Sequence, residues 1–374
     1  MKYLKLIILL IIFWNLPSFA AVNVNALTGS ILSYGTFFLI IVYYFFNKKE
    51  KPIVSFIFLG LLYFLISVLV DTVNTENFIT TFIKYFIFII MGIKVVKDTT
   101  DTGIYIFLLL GSLSIIYESI FVTDIGGRFS GFYLNPNSAG FICILGYCFS
   151  LSIDNKTLKI LGQILFSIAG FVTFSRTFFL VWVLINIISL SISYKNAYII
   201  IMGLVLFSFF LSFGVKFDFN TRRLEAFSRL LDGEISDEMG EDSRTQIWAL
   251  YYERIYESPI FGNGYLSFSG NTFGREESAY YDEGVHNTPL LIIGEAGVFT
   301  FLYFIWIYGG FLAKGIRMYK NEPLIFLVSF SLFMYMLTNH NYFNNYLILF
   351  VSIWLWMKVD RKEIILEGKM IKSI

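Results

Sequence analysis

The chain has two histidines, and each stands where polar residues meet an apolar stretch. His286 opens the run HNTPLLIIGEAG, and His340 lies in NHNYFNN. Imidazole is the side chain best suited to accept and return a proton near neutral pH. Glu295 follows His286 two to three helical turns on, inside an apolar run. An ionised carboxylate there needs a partner, and Arg176 is a candidate to be held by it. Arg176 itself sits in AGFVTFSRTFFLVWV, between two apolar runs with almost no polar loop. A charge so placed marks a functional candidate, although a snorkelling side chain would account for it too. Arg128 and Arg244 add two more guanidinium groups, flat forks that grip phosphate or carboxylate in bidentate fashion. Asn135 and Asn137, like His340 with its neighbouring amides, stand beside aromatic rings. Such pairs suit sugar hydroxyls and sugar faces, and equally a membrane-interface belt.

The elements that position these residues are apolar. Hydrophobic residues make up 57% of the 374 and charged residues 15%, against roughly 45–50% and about 25% in soluble domains. This composition excludes an ordinary cytosolic enzyme, a nucleic-acid-binding domain and a disordered chain. The net charge of +1 carries no information about partners. Cys143 and Cys148 share one apolar run and would face different sides of a helix, so packing is expected of them rather than a disulfide or a metal cluster.

Apolar runs lie near 4–21, 29–46, 53–70, 78–95, 103–122, 138–153, 159–174, 177–193, 198–213, 289–313, 323–338 and 345–357. Continuous apolar runs select helices over strands in lipid. The expected fold is an all-α polytopic membrane protein with about twelve transmembrane helices. Helices 1–9 fill residues 1–213, one large outer loop fills 214–288, and helices 10–12 with a cytoplasmic tail fill 289–374. Lysines fall in alternate gaps: Lys2 and Lys5, Lys48 to Lys51, Lys94 and Lys97, Lys156 and Lys159, Lys195, Lys314 and Lys320, and the C-terminal tail. By the positive-inside rule both termini are then cytoplasmic. Lys2, Lys5, Pro17 and Ser18-Phe19-Ala20 also fit a cleavable signal peptide over 1–20.

Arginine behaves oppositely. Arg128, Arg176, Arg222, Arg223, Arg229, Arg244, Arg254 and Arg275 fall on the outer side, so they serve something other than topology. For Arg222, Arg229, Arg254 and Arg275, pairing with acids of the loop suffices. In that loop a helix is expected from Ser243 to about Glu257, with Ser243 and Gln246 as a capping box. Ile247, Leu250, Tyr251 and Ile255 should pack down on the bundle, Pro259 should end the helix, and Gly262-Asn263-Gly264 should turn. The acidic stretch 232–242 reads as a solvated loop.

Four stretches together resemble the O-antigen polymerase and O-antigen ligase superfamily of bacterial envelope glycosyltransferases. They are Arg128-Phe129-Ser130-Gly131 with Asn135-Pro136-Asn137; Thr173-Phe174-Ser175-Arg176; Ser243-Arg244 with Trp248, Pro259 and Gly262-Asn263-Gly264; and His286-Asn287, Leu290 and Glu295-Ala296-Gly297. The resemblance implies a GT-C-like fold in the bacterial inner membrane with its large loop in the periplasm. It implies transfer of an undecaprenyl-diphosphate-linked oligosaccharide to an acceptor hydroxyl, with no metal and no cofactor. His286 and Arg176 would be catalytic. Arg128, Arg244, Asn135, Asn137, Glu295 and His340 would bind diphosphate or glycan. Membrane lipid and a chain-length regulator protein are the implied partners, and nucleic acid is not. Low charge and high phenylalanine content favour a polymerase, joining one lipid-linked repeat unit to another. The alternative is a ligase acting on lipid A–core.

A lipid-linked sugar flippase is the rival of another class. Transporters of that kind often show related halves. Here the halves show no repeat, and the polar residues gather at one face.

Overall fold

The computed structural model describes residues 1–70, 75–122, 128–191, 201, 203, 205, 243–270, 279 and 281–371, with the side chains of 75, 76, 243–245 and 362–371 excepted. Most of the expected span 198–213 lies outside the described residues. So do Arg222, Arg223, Arg229, Arg275, the stretch 232–242 and the side chain of Arg244.

The described elements are helical. In order they are α1 (Lys2–Phe13), α2 (Leu16–Asn23), α3 (Ala26–Phe45), α4 (Val54–Val70), α5 (Thr75–Ile87), α6 (Ile93–Lys97), α7 (Asp101–Phe121), α8 (Pro136–Ser150), α9 (Lys156–Val172), α10 (Arg176–Leu190), α11 (Ser243–Glu257), α12 (Thr288–Met318), α13 (Pro323–Met336) and α14 (Tyr346–Ile371). Four segments among them are long and apolar enough to cross a membrane: Ala26–Phe45, Asn77–Lys97, Asp101–Phe121 and Thr288–Met318. Val54–Val70, Arg176–Leu190 and Pro323–Met336 are apolar but shorter. This is a polytopic membrane architecture, with fewer full-length spans among the described residues than the twelve apolar runs suggest.

Local chemistry explains the differences. The first run, 4–21, is not one rod. Asn15 adopts the left-handed conformation (φ 49°), and α1 and α2 meet at a 60° bend. The span 77–97 is continuous but passes through one π-helical turn, Phe88–Gly92, between α5 and α6. Elsewhere polar residues cut the apolar runs by capping helices. Asn135, Asn155 and Ser175 accept backbone N–H groups at the starts of α8, α9 and α10.

The helices form two compact units. One comprises residues 1–8, 34–99 and 243–374, and the other residues 9–33 and 100–242. In the first, α4 and α12 pack together, and α13 and α14 pack beside them. The Tyr85 hydroxyl donates to the Phe56 carbonyl (2.8 Å), tying α5 to α4. In the second, α7, α8 and α9 pack mutually, and every residue of α8 from Ala139 to Ser150 is buried. Buried hydroxyl and amide groups there pair across helices. Tyr147 donates to Asn186 Oδ1 (2.6 Å), and Trp182 Nε1 donates to Ser167 Oγ (3.1 Å). Cys143 and Cys148 are free thiols, both buried.

Helix α12 carries a break that shapes the outer loop. At Gly297 the backbone leaves the helix (φ 73°, ψ −178°), which interrupts the i to i−4 ladder. Groups freed there are taken by the segment after α11. Asn263 N–H donates to the Gly294 carbonyl (2.7 Å), and Gly264 N–H donates to the Glu295 carbonyl (3.1 Å). Val298 N–H donates to the Pro259 carbonyl (2.9 Å). The Asn263 side chain bridges the carbonyls of Arg254 and Gly294, both at 3.0 Å. Buried backbone groups must find partners, and here one turn supplies them.

Candidate functional site

The loop helix α11 begins and ends as expected, stopping at Glu257 before Pro259. Tyr251 and Ile255 are buried with Phe268, Val285 and Leu291, and Ile247 and Trp248 pack against them. Leu250 does not join them and is half exposed. The reason is geometric: residues 247, 251 and 255 follow an i, i+4, i+8 stripe, and position 250 falls at its edge. Trp248 Nε1 donates to the Val285 carbonyl (2.9 Å), and the Tyr251 hydroxyl donates to the Glu283 carbonyl (2.7 Å). These bonds fix the strand of chain leading into His286. Arg254 pairs with Glu257 at 2.9 Å, the acid pairing expected for it.

His286 is exposed and has a left-handed backbone (φ 45°). Asn287 then caps α12, its Oδ1 accepting Leu290 N–H (3.0 Å). The two histidines come together. Their ring centroids are 4.7 Å apart with the planes at 61°. His340 Nε2 lies 3.1 Å from the Ser269 carbonyl oxygen. A carbonyl only accepts, so this nitrogen carries the hydrogen. Burial pushes His340 down to about 4, the neighbouring His286 adds to the effect, and the Ser269 hydrogen bond opposes it. Its ring is therefore neutral near pH 7.

Glu295 is fully buried. Its Oε1 accepts the Phe268 N–H and the Ser269 hydroxyl, both at 3.1 Å, and its Oε2 accepts the Tyr63 hydroxyl. Tyr63 stacks on Phe343 with centroids 3.6 Å apart. The carboxylate thus links α4, the turn 266–270 and α12 within one unit. Sequence reasoning missed Tyr63, Phe268 and Ser269 as its partners. One tyrosine among 24, lying in an apolar run, gives no sign of its hydroxyl's destination.

The other unit holds Arg128, Asn135, Asn137 and Arg176. Glu118 at the end of α7 accepts the N–H groups of Ser130 and Gly131 (2.6 and 2.7 Å). This folds the chain after Arg128, which is half-buried. Asn135 Oδ1 accepts the N–H groups of Asn137 (2.8 Å) and Ser138 (3.3 Å), which makes this oxygen a helix cap. Asn137 Oδ1 accepts the Ser175 hydroxyl (2.9 Å). The segment Arg128–Asn137 is thereby held against the start of α10, whose first residue is Arg176. The Thr173–Ser175 turn is tight. Phe174 has φ 48°, Thr173 Oγ1 accepts Ser175 N–H (3.2 Å), and Ser175 Oγ accepts Phe178 N–H (3.3 Å). Arg176 stands between two apolar runs. The turn carries it to the surface, and its side chain is exposed.

Left-handed non-glycine residues recur beside these motifs: Leu134 (60°), Phe174 (48°), Leu266 (67°) and His286 (45°). Each such conformation is costly for an L-residue, by roughly 1–3 kcal/mol. They persist where surrounding structure over-determines them, and functional sites are where they gather.

Residues 161–305 match the family model described as O-antigen ligase. The matched stretch begins in α9, contains Arg176, α11, His286 and Glu295, and ends in α12 past the Gly297 break. It spans less than half of the chain. That family takes in both O-antigen polymerases and O-antigen ligases, glycosyltransferases that act on lipid-linked glycans. No curated protein and no solved structure matches the chain.

Proposed function

We propose that the chain is an O-antigen polymerase of the bacterial inner membrane. It transfers a glycan from undecaprenyl diphosphate to the acceptor sugar of another lipid-linked repeat unit at the periplasmic face. The observation that carries this reading is His286: an exposed imidazole at the mouth of α12, fixed by a left-handed backbone and packed against a second ring. The family match over 161–305 includes this histidine and Arg176 together.

In the reaction, His286 takes the proton of the acceptor hydroxyl as its oxygen attacks the anomeric carbon. The bond from that carbon to the diphosphate oxygen breaks, and undecaprenyl diphosphate leaves. Negative charge grows on the leaving group as the bond lengthens. Guanidinium groups aimed at it lower the barrier. Arg176 is suited to this role because it stands at the N-terminus of α10, where the helix dipole also favours an anion. By the family resemblance Arg128 and Arg244 are further candidates for binding diphosphate, and Asn135 and Asn137 for binding glycan through their amide nitrogens. The diphosphate is already a good leaving group, so the assignment asks nothing of a metal.

The match to a family described as O-antigen ligase favours a second reading, ligation of the finished glycan to lipid A–core. A strain lacking the chain separates the two on a polysaccharide gel. Core carrying a single repeat unit identifies a polymerase. Bare core with accumulated lipid-linked polymer identifies a ligase. Movement of lipid-linked units across vesicles without elongation would instead support a flippase.

A further inference from the structure

His340 is held on two sides. Its Nε2–H donates to the Ser269 carbonyl (3.1 Å), and its Nδ1 is buried with no hydrogen-bond partner among the described residues. Gly284 lies against the ring so closely that a Cβ there would sit 2.7 Å from Cε1 and 2.8 Å from Nε2. The segment that carries His340 is tied to the start of α12, where the Thr288 hydroxyl donates to the Asn339 carbonyl (2.6 Å). Ser269 is fixed in turn, because its hydroxyl donates to the buried Glu295 carboxylate (3.1 Å).

We infer that His340 and Glu295 are positioning residues, holding His286 through the chain of contacts Glu295–Ser269–His340–His286, and not ligands of the glycan. Three features support this. The Glu295 carboxylate is turned to the protein's own donors, on both oxygens. The Ser269 bond makes His340 Nε2 a committed donor and fixes the ring's tautomer. The His340 ring then meets the His286 ring at 61°. A side chain with its Nδ1 buried and its Nε2 engaged offers little to a sugar. Held rigidly beside the proposed base, it sets the direction in which that base can face an incoming hydroxyl, and such alignment is worth much in rate.

This inference rests on the reading of His286 as base, and the experiment separates the two. Full-length protein is reconstituted in lipid nanodiscs with undecaprenyl-diphosphate-linked repeat units. Turnover is measured for wild type, His286→Ala, His340→Phe and His340→Gln at matched amounts of folded protein. Phenylalanine keeps the ring but cannot donate to Ser269, and glutamine keeps a donor on a planar amide that can still lie against His286. Positioning predicts a kcat reduced by tenfold or more in His340→Phe with KM for the donor unchanged. His340→Gln should recover to within about threefold of wild type, and the pH profile should move in the phenylalanine variant alone. A KM raised tenfold with kcat retained would make His340 a glycan ligand and overturn the inference. So would reduced folded yields in both variants with wild-type turnover once folded protein is matched, which mark a purely structural role. Inactive His286→Ala with normal His340→Phe removes the inference and leaves the base in place. Active His286→Ala removes both.

Discussion

The Tyr63 hydroxyl donates to the Glu295 carboxylate, joining α4 to the first turns of α12 across 232 positions of sequence. Both residues are buried, so the bond is a fixed strut between helices. Tyr63→Phe removes the donor and leaves one carboxylate oxygen to seek another. Leaving a buried acceptor without its partner costs roughly 1–3 kcal/mol. Thermal unfolding in detergent should show a lower midpoint for Tyr63→Phe than for wild type. An unchanged midpoint would mean the bond contributes nothing net.

Gly297 is the second mechanical point. Its φ of 73° is open to glycine at no cost, and a Cβ there would collide with the Ile260 carbonyl. Gly297→Ala should therefore destabilise by about 2 kcal/mol or more, combining backbone strain with the clash. The readout is the folded yield after detergent extraction, with Gly309→Ala as control. Position 309 has open space around its Cβ, and the control should extract normally.

Much of this arrangement was legible in the residues. The polar punctuation of apolar runs gave the helices, Pro259 gave the end of α11, and the apolar stripe gave Tyr251 and Ile255 as its buried face. The pairing of two histidines near one boundary was readable as separate placements, but not as ring against ring. Four features were not legible. The bend at Asn15 and the break at Gly297 depend on single residues in left-handed conformations, which leave little mark on hydropathy. The partners of Glu295 come from α4 and from a loop, and local periodicity carries no information about contacts so distant in sequence. The exposure of Arg176 follows from the turn at Phe174, which composition alone describes as apolar.

A pH dependence follows from His340. Its folded-state value, near 4, lies below the ordinary 6.5. In that interval the unfolded chain binds a proton that the folded chain refuses, so stability rises with pH. The contribution is fully present above about pH 6.5 and is lost as pH falls toward 4, on the order of 1–3 kcal/mol. Unfolding midpoints measured from pH 7.5 down to 4.5 should fall for wild type and fall less for His340→Gln. Parallel curves would assign the acid sensitivity to other groups.

Arg176 should respond to shape as well as to charge. Arg176→Lys keeps the charge but loses the planar fork, whereas Arg176→Ala loses both. The side chain is exposed, so membrane insertion and folded yield should stay normal. Chain lengthening should be abolished by alanine and reduced at least tenfold by lysine, scored as glycan ladders in cells. Normal ladders with alanine would exclude this residue from the diphosphate site.

The account turns on proton transfer at His286, and its most direct test is the turnover of His286→Ala, measured with purified lipid-linked repeat units at matched folded protein. Loss of a positioned general base lowers rates by about 10²–10⁴, and a fall of that size with intact unfolding behaviour is the expected result. Wild-type turnover in the alanine variant would contradict the assignment.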